Sequence, residues 1–349
     1  MQANRLSSPQ NPEKSLNSVS IRPMIYLLMT MFVIGALLYG VIVTGREPAT
    51  VLQIFTTRFL GIFIEAVPFL LLGTLTSGLI EVFIHPDDLI RWLPKNKVLA
   101  TITGAFLGII FPVCECGVVP VARRLFTKGL PVSMGIAFLL AAPFMNPIVF
   151  ASTYIAFGFG TVFIGRFIIT AIVAISVGLL FAFFAKPEDV LQPASMQDFS
   201  NLGSAAPQKS GFWQGIGQSA GIAGDEFYEM GRFLVLGCLM AAAMQTFVPQ
   251  STLLDIGQGS VTSVLAMQAL AFILSVCSTV DAFLALAFTT TFSTGAILAF
   301  LSFGPMVDVK STLMFMGVFK RRTVAYLILL PFLMNLIAGI FVNLNTPAF

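Results

Sequence analysis

Three cysteines stand where the chain could do chemistry. Cys114 and Cys116 flank Glu115 in FPVCECGVVPV, and Cys277 lies in LSVCSTVDAFL, 163 positions after Cys114. Thiolate selects soft, thiophilic partners over hard cations. Two matching polar, thiol-bearing segments in apolar surroundings therefore suggest a site for a soft solute. The competing reading is that free cysteines are small buried hydrophobes, and Cys238, in VLGCLM on a plain apolar stretch, fits that packing role. A CxC alone is a weak motif; its recurrence at the matching place gives it weight.

Charges join the thiols. An acidic residue at the centre of a membrane helix costs about 2.5–3.5 kcal/mol and marks relays and solute paths. Asp281 follows Cys277, Glu115 separates the paired cysteines, and Asp308 comes just after Pro305. These three are candidate proton carriers. Lys310 either pairs with Asp308 or attracts an anionic solute. Asn146 holds the place of Asp308 in the first copy, between Pro143 and Pro147. Prolines remove backbone donors and free carbonyls, so Asn146 joins Cys114, Cys116 and Cys277 as a candidate solute contact, against the alternative of a packing kink. Glu65 in EAVPFLLLG and Glu229 in EMGRFLVLG match across the two copies and are read as structural or gate-lining. His85 is the only histidine and sits in HPDDLIRWLPKNK with two acids, so histidine catalysis and a histidine zinc site find no support. There is no phosphate-binding glycine loop and no dinucleotide fingerprint. No cofactor is expected.

The elements that must position these residues are membrane spans. The 349 residues are 57% hydrophobic and 10% charged, with a mean hydropathy of +0.92, far from an ordinary soluble domain. The net charge of +3 is small, and the basic residues fall between apolar runs, which argues against nucleic-acid binding. Residues 1–23 read as a disordered cytoplasmic tail and 24–43 as a signal-anchor helix. Further apolar segments fall at 54–84, 98–122, 131–160, 162–185, 226–248, 261–291, 294–318 and 323–343.

Nine full crossings would scatter lysines and arginines on both sides. Letting 98–128 and 261–292 enter, turn and leave by the same side moves Arg123, Arg124, Lys128, Lys186 and Lys209 inside and leaves Arg46, Arg58 and Arg166 outside. The positive-inside rule prefers that arrangement. An arm of about 15 helical residues covers about 22 Å, past the midplane but short of the far side. The expected fold is all-α and integral to the membrane: an inverted-repeat transporter with seven transmembrane helices and two re-entrant hairpins, nine full spans being the alternative. Repeat unit 1 covers 54–185, a cytoplasmic linker 186–215, and repeat unit 2 covers 216–343. Inverted repeats put solute sites near the bilayer midplane, where the two tips would meet.

FPVCECGVVPVARRLFTKGLPVSMGIAFLLAAPFMNPIVF resembles the predicted-permease family that includes the bacterial organoarsenical efflux permeases, and CSTVDAF with FLSFGPMVDVKSTLMF resembles its second signature. The likeness runs from about residue 54 to 343. It implies an inner-membrane permease, in some members exporting trivalent organoarsenicals through membrane cysteines. On these positions the metalloid ligands would be Cys114, Cys116 and Cys277. Only one cysteine stands on the second tip, which departs from a symmetric four-thiol site.

The expected function is secondary-active export of a small thiophilic or anionic solute, with no enzymatic reaction. Two alternatives stay open: a membrane thiol, redox or sulfur-handling enzyme, which would need an accessible thiolate, and a passive channel. Expected partners are a small-molecule or metalloid solute and the lipid bilayer. Homo-oligomerisation stays open.

Overall fold

The computed structural model describes residues 47–84, 96–109, 113–185, 190–192, 212–247 and 259–345, with a few isolated positions besides. The expected tail, almost all of the expected anchor helix, most of the His85 loop and most of the linker lie outside the described residues. Regular structure within them is helical, apart from one isolated bridge between Leu191 and Phe319. In order, the helices are α1 (Pro48–Phe83), α2 (Lys97–Phe106), α3 (Glu115–Thr127), α4 (Val132–Ala141), α5 (Pro147–Phe157) and α6 (Thr161–Phe184). Then come α7 (Phe212–Phe247), α8 (Thr262–Leu274), α9 (Asp281–Leu286), α10 (Thr294–Phe303), α11 (Val309–Val318) and α12 (Arg321–Asn345).

The second six repeat the first six. Helices α1 and α7 both have 36 residues, α4 and α10 both have 10, and α6 and α12 have 24 and 25. Four of them (α1, α6, α7 and α12) are long and apolar enough to cross a membrane, and the others are shorter. Helices α4 and α5 form one interrupted rod, broken at 142–146 by Pro143. Helices α10 and α11 form another, broken at 304–308 by Pro305. Each break ends on a capping residue. Asn146 accepts from the Ile148 amide at 3.0 Å, and Asp308 accepts from the Ser311 amide at 2.6 Å in a full capping box. Within the apolar run 131–160, proline before a capping residue stops α4 and restarts the chain as α5.

Side-chain contacts give the directions. Phe83 lies beside Gly215, and Arg58 donates to the Gln245 carbonyl, so α1 and α7 are antiparallel. Gly178 of α6 touches both Thr101 near the start of α2 and Ser133 near the start of α4. The excursion through α2 and α3 thus begins and finishes at one end of the molecule. The excursion through α8 and α9 does the same at the opposite end, where the hydroxyls of Ser263 and Ser293 are 3.3 Å apart and Asn343 donates to the Ser260 carbonyl at 2.9 Å. The two units run in opposite senses. They interlock reciprocally: α3 packs on α11, and α9 packs on α5. The long pair α1 and α7 lies over α3 and α11, and α7 also meets α8, where Gln245 donates to the Leu274 carbonyl at 2.8 Å.

Some sequence expectations need correction. The apolar run expected at 226–248 is the later part of a longer helix: polar and glycine-rich WQGIGQSAGIAGDE lowers the hydropathy of its first third, yet α7 begins at Phe212. Arg123, Arg124 and Arg166 were counted as loop charges, but they lie within helices and are 1%, 2% and 0% exposed. Arg58 is likewise helical and only partly exposed. Each found a partner on another helix, which a count of loop charges cannot register.

Glycine makes the closest approaches. Gly73 of α1 meets the backbone of Gly117 on α3, and a Cβ on Gly237 of α7 would stand 2.8 Å from the Lys310 Cα. Small residues let membrane helices approach to this distance. Two outcomes follow. Ser263→Cys with Ser293→Cys forms an oxidative cross-link between the mouths of the second hairpin, detected by peptide mapping; no cross-link would mean that the hairpin does not close. Gly237→Ala forces the backbones apart and lowers stability by about 1–3 kcal/mol, read by thermal unfolding in detergent.

Candidate functional site

The hairpin tips bring the chemistry together. Glu115 is the first residue of α3 and Asp281 the first of α9, where the positive end of a helix favours a carboxylate. Each is answered by a cation from the other unit. Lys310 Nζ, on α11, lies 3.4 Å from Glu115 Oε1 and 3.5 Å from Asp308 Oδ2. Arg166 Nη2, on α6, lies 2.7 Å from Asp281 Oδ2. Arg166 also donates to Thr153 Oγ1 at 2.9 Å and to the Ser278 carbonyl at 3.3 Å, with its guanidinium carbon 5.6 Å from the centre of the Phe144 ring. All five charged residues are buried.

Burial of charge is expensive unless it is paired and hydrogen-bonded. Here the pairing is incomplete. Glu115, Asp308 and Asp281 face two cations, Lys310 and Arg166. Glu115 Oε2, Asp308 Oδ2, Asp281 Oδ1, Arg166 Nε and Ser278 Oγ have no hydrogen-bond partner among the described residues. The cluster therefore has both the charge and the open lone pairs to take up one positive charge, such as a proton. Asp281 is within electrostatic reach of Glu115, so the two ion centres sense each other.

The thiols line the same region. Cys114, Cys116 and Cys277 are buried and free. Cys114 caps α3 and Cys116 is its second residue, with Glu115 between them. Lys310 is within electrostatic reach of both Cys116 and Cys277. Thr279 Oγ1 donates to Cys277 Sγ at 3.5 Å. Cys238, read as packing, is fully buried on α7 and lies within reach of Lys310, Cys116 and Asp308. Its only signal in the sequence was its neighbour Gly237, the residue that lets α7 close on Lys310. Among the described residues no three His, Cys, Asp or Glu side chains are arranged to hold a metal ion, so Cys114, Cys116 and Cys277 do not form a ready-made three-thiol set.

The remaining expected residues divide. Glu65 is partly buried, lies within electrostatic reach of Glu115 and leaves Oε1 without a partner. Its sequence counterpart Glu229 faces elsewhere and pairs with Arg123 at 2.9 Å. Asn146 spends its side-chain oxygen capping α5. Arg166 was missed as a site residue, although a lone arginine inside TVFIGRFIITAIVAIS is costly enough in an apolar helix to demand a partner.

Long apolar spans, two broken rods and a charged, thiol-lined interior define a multi-pass helical membrane protein. A family described as predicted permease matches residues 50–344, and the chain belongs to that family. It is 45% identical over 272 residues to UPF0718 protein YcgR of Bacillus subtilis (strain 168), covering 77% of this chain and 90% of the relative. It is 41% identical over 279 residues to a Streptococcus mutans protein provisionally named a two-component membrane permease complex subunit, covering 79% of this chain and 90% of that one. No solved structure matches it.

The Arg166–Asp281 pair permits a direct energetic check. Arg166→Met strands a buried carboxylate and destabilises the protein by about 3–5 kcal/mol. Arg166→Met with Asp281→Leu recovers most of that loss, because an apolar pair leaves no charge unanswered. Thermal unfolding of the purified variants in detergent measures both.

Proposed function

We propose that the chain is a secondary-active permease of the bacterial inner membrane. It exports a small thiophilic or anionic solute through a site between two hairpin tips near mid-bilayer. Trivalent organoarsenicals are the solute class to test first. The observation that carries this reading is the buried cluster itself, in which thiols stand beside two cross-unit ion pairs with one carboxylate in excess. In the corresponding topology the chain makes seven crossings, the rods α4–α5 and α10–α11 among them, and the hairpins at 98–128 and 261–292 re-enter. Units 54–185 and 216–343 then have opposite orientations.

The roles follow from chemistry. Cys114, Cys116 and Cys277 exchange a soft solute between thiols, one contact at a time, which suits a path better than a closed three-ligand cage. Lys310 answers any negative charge the solute carries. Glu115, Asp281 and Asp308 provide the site of proton exchange, since the excess carboxylate needs a positive charge whenever the solute is absent. Glu65 adds a further carboxylate beside Glu115, and Asn146 and Asp308 hold the ends of the half-helices toward the site. A thiol-redox enzyme finds less support, because reactive thiolates need access and the three cysteines are 5% exposed or less. The printed name of the S. mutans relative extends the proposal to a second component that acts with the permease.

Cells lacking the protein become sensitive to methylarsenite, regain resistance with the wild type, and do not regain it with Cys114→Ala. Equal resistance with the wild type and with Cys114→Ala would remove the thiol role. Asp308→Asn lowers the dependence of transport on the proton gradient while leaving the fold intact. Uptake assays in everted vesicles with and without a protonophore read this, and an unchanged dependence would assign coupling elsewhere.

A further inference from the structure

Beyond the tips, α3 carries a second set of charges. Arg123, Arg124 and Lys128 point at three glutamates on the long helix pair. Arg123 Nη1 lies 2.9 Å from Glu229 Oε2, Arg124 Nη1 3.4 Å from Glu81 Oε2, and Arg124 Nη2 3.8 Å from Glu226 Oε2. Lys128 Nζ lies 3.3 Å from Glu81 Oε2 and donates to the carbonyls of Glu81 and Ile84 at 2.7 and 2.9 Å. Arg232 approaches Glu229 Oε1 at 4.0 Å from the exposed side. The network fills the space between the tip cluster and the end of the molecule where α1 and α3 finish.

The second hairpin has no equivalent. With Cys277 set on Cys114, the positions of Arg123, Arg124 and Lys128 fall on Leu286, Ala287 and Thr291. All three are exposed, and α9 does not pack along α7 as α3 packs along α1. Two hairpins of one origin are thus fastened unequally. Seating α3 does not require the charges, because the Gly73–Gly117 contact already brings α3 against α1. A buried ion network also has a property that apolar packing lacks. It holds firmly while dry, yet its charged groups are readily hydrated once water reaches them.

We propose that Arg123, Arg124 and Lys128, with Glu81, Glu226 and Glu229, form the gate that closes the solute path at this end, and that the gate opens when α3 parts from α1 and α7. The inference rests on the reading that the tips hold the transport site. It makes the two ends of the path different: one is shut by charge, the other by the apolar contacts of α9.

The native thiols report on the gate without any knowledge of the solute. Cys116 sits on α3, seven positions before Arg123, and is 2% exposed. A protein that keeps Cys116 and carries Cys114→Ser, Cys238→Ser and Cys277→Ser is placed in sealed vesicles of each orientation and treated with a charged methanethiosulfonate. Adding Glu226→Gln and Glu229→Gln raises the labelling rate at least about tenfold, the effect of shifting the closed–open balance by about 1.4 kcal/mol. The rise is confined to the orientation that exposes the Lys128 end. Arg123→Glu with Glu229→Arg, which restores the pair in reverse, returns the rate toward the parent value. An unchanged rate, an equal rise in both orientations, or a swap that labels as fast as the neutral variant overturns the gate. A melting curve of each variant separates gating from unfolding, and Glu229→Gln alone carries the same test if the double change does not fold. Labelling can fail while methylarsenite resistance still depends on Cys114, so the gate and the transport reading stand or fall separately.

Discussion

A charge inside an apolar medium must be answered, and in this protein each hairpin tip is answered by the opposite unit. Glu115 belongs to the first hairpin and meets Lys310 of α11; Asp281 belongs to the second and meets Arg166 of α6. Neither half can complete its own centre. The packing follows the same rule, with α3 on α11 and α9 on α5. The broken rods are what make these meetings possible. A continuous helix would satisfy its own backbone and offer no capped N-terminus at mid-length, whereas the breaks at 142–146 and 304–308 end on Asn146 and Asp308 and leave polar groups deep in the structure.

On this two-fold plan the protein imposes differences. The long pair α1 and α7 packs along α3 of the first hairpin but meets the second at α8. Gly73 and Gly237 occupy matching places in the two copies, but one approaches a glycine at a hairpin tip and the other the backbone of a lysine. Glu65 and Glu229 match as well, yet one faces the central cluster and the other an ion network near one end. A duplicated scaffold can carry such division of labour because the fold needs only its small residues and breaks to be repeated, not its charges.

Much of this was legible in the chain before any coordinates. The two thiol-bearing segments, the paired prolines and the counterpart relation of Asn146 to Asp308 all follow from recurrence at a fixed offset, and that needs no three-dimensional knowledge. What could not be read was partnership. Lys310 was matched with Asp308 two positions away, but its second partner, Glu115, is 195 residues distant. Arg166 and Arg123 looked like loop charges because a basic residue near a helix end has the same local signature whether it faces water or a carboxylate on another helix. The start of α7 was hidden for a related reason. Its first third is too polar to look like a span, and it is helical because it lies along α1, a contact made between residues far apart in sequence.

The cross-unit pairs have a consequence for the independence of the two halves. They are not symmetric copies of one another, since they use different positions in the two halves. Two identical first units, joined as these halves are, would set Glu115 opposite Ile148, the counterpart of Lys310, and Arg166 opposite Val118, the counterpart of Asp281. Two identical second units would set Asp281 opposite Ile328, the counterpart of Arg166. Each such assembly would strand a charge in oil. The halves are therefore indivisible: each supplies the counter-charge that a second copy of its partner would lack.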